Sequence, residues 1–248
     1  MRMSYFSTLL RTSSLIIWSF LLTPLMVSAQ DAQPTRWTIR IVTVKPDSAA
    51  EFEAALKDVA AIQQEAGRLL FHVYERVRGD LDTYSIITQD TAFVDQPPAT
   101  LDPELVDRLA HAEDHTTLLS VGFYGELGIT GDSVHPPGEY MRVRIRTVPP
   151  ANADDYFAWH RDRLTPALRE AGLNDLRSGR VMLGGNNNTF FRYTYSDDLG
   201  GGPDGLDIPG TVGQREFDQI IVRESELLSN SEDYVLRFRE DLSFTSQQ

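Results

Sequence analysis

The chain has 248 residues and no cysteine, which excludes disulfides, cysteine-ligated iron–sulfur clusters and thiol nucleophiles. Its 36 acidic residues outnumber 23 basic ones, for a net charge of −13 at pH 7. Such a surface repels nucleic acid and anionic lipid, so neither is expected as a partner.

Residues 1–29 read as a secretory signal peptide. Arg2 and Arg11 give a basic start, an apolar run follows over 15–27, and Val27-Ser28-Ala29 places small residues before a cleavage ahead of Gln30. The run is short for a membrane span, which needs about 20 apolar residues, and Pro24 interrupts it. The expectation is an exported protein, periplasmic or secreted, with no membrane span after cleavage. Cleavage removes Arg2 and Arg11 and no acid, leaving 21 basic and 36 acidic residues and a net charge of −15. An exported chain without disulfides draws its stability from its core.

The first unit, residues 30–129, opens with an alternating strand over 36–44 and a turn at Pro46. A helix follows over 48–65, with Phe52, Leu56, Val59 and Ala60 at helical spacing, and Gly67 is placed to stop it. Two strands, 69–78 and 83–89, turn through Gly79-Asp80-Leu81-Asp82. A second helix is expected over 103–115 and a last strand over 118–126. The Gly/Pro-rich stretch 130–138 reads as a linker. In the second unit, 139–248, the expected order is a strand over 140–148, a helix over 153–171, strands 176–183 and 189–195, a long loop, a helix over 214–228 and a strand over 234–242.

The two units are copies of one pattern. Ile39, Arg40, Ile41 and Pro46 align with Val143, Arg144, Ile145 and Pro150 at an offset of 104 residues. One added residue aligns Glu65-Ala66-Gly67 with Glu170-Ala171-Gly172, and one more aligns Thr83-Tyr84 with Thr189-Phe190. Single-residue drift of this kind is what a duplicated unit shows. The order βαββαβ, twice, is the split βαβ of ferredoxin-like folds. The fold class expected is therefore α+β: two tandem ferredoxin-like units forming a single-chain α+β barrel, with no oligomer required to complete it.

Two such units resemble the dimeric α+β barrel superfamily, which includes antibiotic-biosynthesis-monooxygenase-like, EthD-like and NIPSNAP-like domains. The segment from Tyr156-Phe157-Ala158-Trp159-His160 to Pro166-Ala167-Leu168 is similar to the first-helix segment of several of these families. The resemblance implies two sheets packed face to face with helices outside, and any ligand between a sheet and its helices. Members include cofactor-free oxygenases, haem-binding enzymes and proteins without chemistry, so the fold does not select a function.

His160 is the leading single candidate, as a ligand, a base or a haem-binding imidazole. It aligns with Leu56, a core-facing position, and the plain alternative is a half-buried histidine satisfied by a carbonyl or by Asp162. Trp159, aligned with Ala55, and Tyr156, aligned with Phe52, would line a pocket there or fill the core. Arg142, Arg144 and Arg146 alternate along a strand and share a face. We expect that face to point away from the helices, joined by Arg237 and Arg239, with Met141, Val143 and Ile145 toward the helices. Such a face suits a carboxylate or phosphate site, or an ion-pair layer between sheets. His111 and His115 fall four apart on the predicted second helix, a spacing that chelates metal when a third ligand exists. None is evident, and the alternative is a solvated helix end. The acidic, Gly-rich stretch 197–207 lacks EF-hand spacing and reads as a loop, and Asn187-Asn188-Thr189 is a glycosylation sequon. No nucleophile elbow, P-loop or dinucleotide fingerprint is present. The leading functional reading is an exported small-molecule-binding or non-catalytic protein. The alternatives are an oxygenase-like or haem-handling enzyme and a structural module.

Overall fold

The computed structural model describes residues 36–77, 82–90, 100–122, 138–173, 176–183, 186–199 and 207–246. The expected signal segment, the expected turn at Gly79 to Leu81, residues 130–137 of the expected linker, Gly184-Gly185 and residues 200–206 of the expected acidic loop lie outside them.

The first half contains β1 (Arg36–Val44), α1 (Ala49–Glu65), β2 (Leu70–Arg76), β3 (Thr83–Asp90), α2 (Pro103–Ala112) and β4 (Glu113–Gly122). The second contains β5 (Tyr140–Thr147), α3 (Ala153–Trp159), a π-helical turn (His160–Leu164), α4 (Thr165–Glu170), β6 (Leu176–Leu183) and β7 (Thr189–Ser196). It continues through α5 (Ile208–Val212), α6 (Gln214–Leu227), β8 (Asn230–Phe238) and a two-residue β9 (Phe244–Thr245). Within each half the strands adopt the ferredoxin-like order, β4-β1-β3-β2 and β8-β5-β7-β6. The halves join through β4–β6 and β2–β8, so eight antiparallel strands close into one barrel, and β9 adds to the start of β2. Closure removes the free sheet edges that would otherwise invite pairing with another chain.

Alternation along the strands sorts the core into three layers. Ile39, Tyr74, Ile87, Met141, Val143 and Phe191 pack inside the barrel with residues from both halves. A cavity there has about 20 Å³, room for one water, among side chains that fill the barrel centre. Between α1, α2 and the first sheet lies an all-apolar layer that includes Val42, Phe52, Leu56, Val73, Ile86 and Leu109. The chain's C-terminal segment closes this layer: Leu242 is buried in it, Phe244 packs against it, and Arg239 binds Glu53 of α1.

The helices follow the sequence pattern with three exceptions, the plainest being α5, which lies inside the expected long loop. α1 buries Phe52, Ala55, Leu56, Val59 and Ala60, one stripe at helical spacing, and ends before Gly67, whose φ of +75° suits glycine. Gly172 repeats this with φ +92°. α2 stops at Ala112, three residues before the expected end, because Ala112 O accepts from Lys45 N and Glu113 already pairs with Val44 of β1. The helix of the second half is not uniform either. Between Trp159 and Thr165 it widens into the π turn, where Thr165 N–H donates to His160 O, five residues back. The offset between the copies rises there from 104 at Ala49/Ala153 to 105 at Glu65/Glu170, so the inserted residue is absorbed as a π bulge. Such bulges concentrate at functional sites.

Candidate functional site

The face expected of the arginines is reversed. Met141 and Val143 point into the barrel, with Ile145 packed against them, whereas Arg144 and Arg146 lie on the side toward the helices. The alternation holds, but alternation alone does not say which face meets the helices. The barrel interior is lined mainly by apolar side chains, so the charged face turns outward, toward α3 and α6. Arg237 and Arg239 do not join these arginines; they sit at the β2–β8 seam and bind Glu75.

The reversal brings together two groups that the sequence kept apart. Arg144 lies opposite Arg192 in the β5–β7 register, and Arg192 lies opposite Ser178 of β6. Arg192 reaches Glu224 of α6 at 3.9 Å, and its charge acts on both His160 and Tyr156 of the helix above. Arg146 donates from Nε to Glu224 (3.3 Å) and from Nη1 to Asp233 (2.9 Å), and Arg142 donates to Asp233 (3.2 Å). Sequence reasoning missed Arg192, Ser178, Thr194, Glu224 and Asp233. For Arg192, Ser178 and Glu224 a signal was present, as polar residues at positions whose copies in the first half are apolar.

That comparison defines the site. By strand register and helix spacing, Arg146, His160, Ser178, Arg192 and Glu224 stand where the first half has Val42, Leu56, Val73, Ile86 and Leu109. All five first-half residues belong to its apolar layer, and all five second-half residues are buried. Buried charge without full pairing costs several kcal/mol. Five polar replacements in one layer, three of them charged, single it out as the candidate site.

The pairing is incomplete. Arg192 is 7% exposed, yet its Nε and Nη1 have no hydrogen-bond partner. Ser178 Oγ, Thr194 Oγ1 and Trp159 Nε1 are likewise buried and unpartnered. Arg144 makes no hydrogen bond or ion pair among the described residues. Burial, with Arg192 and Arg142 nearby, pulls its pKa down to about 9, so it still carries its charge at neutral pH. Four guanidinium groups thus face two carboxylates, Glu224 and Asp233. An incoming anion would supply the missing negative charge and the missing acceptors.

Tyr156, Trp159 and His160 roof this layer. Tyr156 stacks at a tilt on Phe190, 4.8 Å between ring centres, and burial raises its hydroxyl well above the usual range. Burial, and then Arg192, push His160 down to about 3, so the ring is neutral. A general base works best with a pKa near the working pH, so His160 is poorly matched to that role. Its Nδ1 shares a hydrogen bond with Thr165 Oγ1 at 3.1 Å, not with Asp162, whose carboxylate pairs with Arg161 instead. Thr165→Val is expected to cost about 1–3 kcal/mol by leaving a buried ring nitrogen unpaired, which chemical denaturation at pH 7 would register.

The metal candidates separate. His111 lies in the last turn of α2, whereas His115 lies in β4 and bonds through Nε2 to Thr117 Oγ1 (3.1 Å), so the two do not share a helix face. Among the described residues no group of three or more histidines, aspartates or glutamates converges as a metal site.

No family model matches the chain, and no curated protein matches it in sequence. Solved structures do match its fold. A candidate monooxygenase from Lactobacillus acidophilus NCFM superposes with a TM-score of 0.58 at 15% identity, covering 86% of this chain and 97% of that one. An anthrone oxidase-like protein gives 0.60 at 10% identity over 87% and 94%. A variant of chlorite dismutase from Candidatus Nitrospira defluvii gives 0.52 at 10% identity over 85% and 94%. With its two ferredoxin-like halves closed into one eight-stranded barrel and its helices outside, the chain has the fold of the dimeric α+β barrel superfamily, completed within a single polypeptide.

Proposed function

We propose that the protein is an exported binder of a small organic anion, held between the second sheet and its helices. The supporting observation is Arg192, a buried guanidinium with two N–H-bearing nitrogens unpartnered and one loose ion pair. Arg144, Ser178 and Thr194 complete a set of donors suited to carboxylate or phosphate. Thermal unfolding with acetate, benzoate and phosphate tests this. A ligand at 100 times its Kd stabilises by roughly 2.7 kcal/mol. Arg192→Met is expected to lose at least tenfold in affinity for whichever of these anions binds the parent. If none of the three anions raises the parent's melting temperature, the reading is wrong. Export itself is tested by N-terminal sequencing of protein recovered outside the cytoplasm, expected to begin at Gln30.

A second reading is an oxygenase-like or haem-handling enzyme. It is supported by the monooxygenase and oxidase names of the fold neighbours and by one feature of this chain, a buried neutral imidazole at His160 oriented by Thr165. Titration with hemin, read in the Soret band for the parent and for His160→Ala, decides the haem form of it. An unshifted spectrum in both removes it.

A further inference from the structure

An open groove of about 440 Å³ lies over the helical roof of this layer. Asp155, Ala158, Trp159 and Asp162 line one wall, and Ile220 and Arg223 of α6 line the other. Trp159 and Ile220 are 7% and 3% exposed and belong equally to the buried core of the second half. They therefore form a partition between the groove and the arginine layer. The indole N–H of Trp159 is buried without an acceptor, and the π turn begins at the next residue. Across the top, the helices are tied by two exposed ion pairs, Arg163 to Glu216 at 2.9 Å and Arg223 to Asp155 at 3.6 Å. Exposed pairs of this kind contribute only about 0–1 kcal/mol each, so they hold the rim without locking it.

We infer that the groove is the mouth of the anion site, that Trp159 is its gate, and that the ligand is a carboxylate carried on an apolar body. The head sits on Arg192 and the body lies along Trp159 and Ile220. This rests on the proposal that the arginine layer binds an anion. Two features narrow the ligand further. The groove has the size of a typical small-molecule pocket, 300–1,000 Å³ as an order of magnitude. Its rim charges balance, with Asp155 and Asp162 against Arg163 and Arg223, so the mouth offers no second anion site and selects a single charged head.

The test is a calorimetric titration of the full chain with straight-chain carboxylates from acetate to octanoate, alongside the Trp159 emission, taken as the signal lost in Trp159→Phe. Affinity is expected to rise by about fourfold per added methylene until the groove is filled, and saturation with octanoate is expected to change the Trp159 emission. Ala158→Trp, which fills the groove from its open side, should weaken octanoate at least tenfold and acetate less than threefold. If acetate binds through Arg192 but octanoate binds no tighter, the anion site stands and the mouth is refuted. If octanoate binds with unchanged affinity in Arg192→Met, groove and arginine layer are unconnected and the inference is overturned. If no carboxylate binds the parent, both fall together.

Discussion

Glu224→Leu is expected to destabilise the protein by about 3–5 kcal/mol, the range seen when one member of a buried ion pair is removed. Glu224 is the carboxylate that both Arg146 and Arg192 reach, at 3.3 and 3.9 Å. Without it, Arg192 loses the one ion pair it makes among the described residues, and Arg146 keeps Asp233, whose side chain is 38% exposed. Leucine itself fits: the equivalent position in the first half is Leu109, buried in an apolar layer. The cost therefore comes from stranded charge, not from a cavity. The companion triple variant Arg146→Val, Arg192→Ile, Glu224→Leu installs the residues of the first half. It is expected to recover the loss and to end level with the parent or about 1–4 kcal/mol above it. Urea unfolding of the parent, the single and the triple variant measures both. A single variant within 1 kcal/mol of the parent, on that ~3–5 kcal/mol scale, would mean that Glu224 does not hold the layer's charge. The triple variant is also expected to bind no carboxylate, which would separate the layer's role in binding from its role in folding.

His160→Leu is expected to flatten the acid limb of the stability curve. His160 is held at about 3 in the folded protein, against 6.5 for a solvated imidazole. Between those values the unfolded chain binds a proton that the folded chain does not, so stability falls as pH drops from 6.5 toward 3. The slope is at most about 1.4 kcal/mol per pH unit, or roughly 2 kcal/mol between pH 6.5 and 5. Carboxylates held low by arginines, Glu53, Asp233 and Asp241 among them, give the same sign, since their stabilisation is also lost as pH falls. Their loss begins only near the ordinary carboxylate range, about pH 4, below most of the interval over which His160 acts. Denaturation at pH 7, 6 and 5 should show a midpoint that falls more steeply in the parent than in His160→Leu. Equal slopes in the two proteins would place the acid sensitivity elsewhere.

The binding reading gains from the way the layer is built. A protein kept only for its fold has no reason to replace five packed apolar residues with an imidazole, two guanidinium groups, a hydroxyl and a carboxylate, because each brings desolvation cost. The first half shows that the same architecture is satisfied without them. There the C-terminal segment, with Leu242 and Phe244, seals the equivalent layer.

Much of this is legible in the residues alone. The duplication, the split βαβ order, the stripe of Phe52, Leu56 and Val59, and the helix stops at Gly67 and Gly172 all follow from periodicity and backbone sterics, which act locally. The one-residue slip between the copies is also visible there, though not its form as a π turn at His160. Residue type and alignment single out Tyr156, Trp159, His160 and the three alternating arginines. What no local rule decides is which face of β5 meets the helices, since both faces alternate equally well. Closure of eight strands into a barrel makes that choice: the enclosed side excludes water and takes Met141 and Val143, and the arginines turn toward α6. Pairing of β5 with β7 then joins Arg144 to Arg192 on the face beneath His160, and pairing of β4 with β1 ends α2 so that His111 and His115 part. The sequence by itself determined the units and their residues; the closed barrel decided which of those residues meet, because burial of one strand face is a property of the whole sheet.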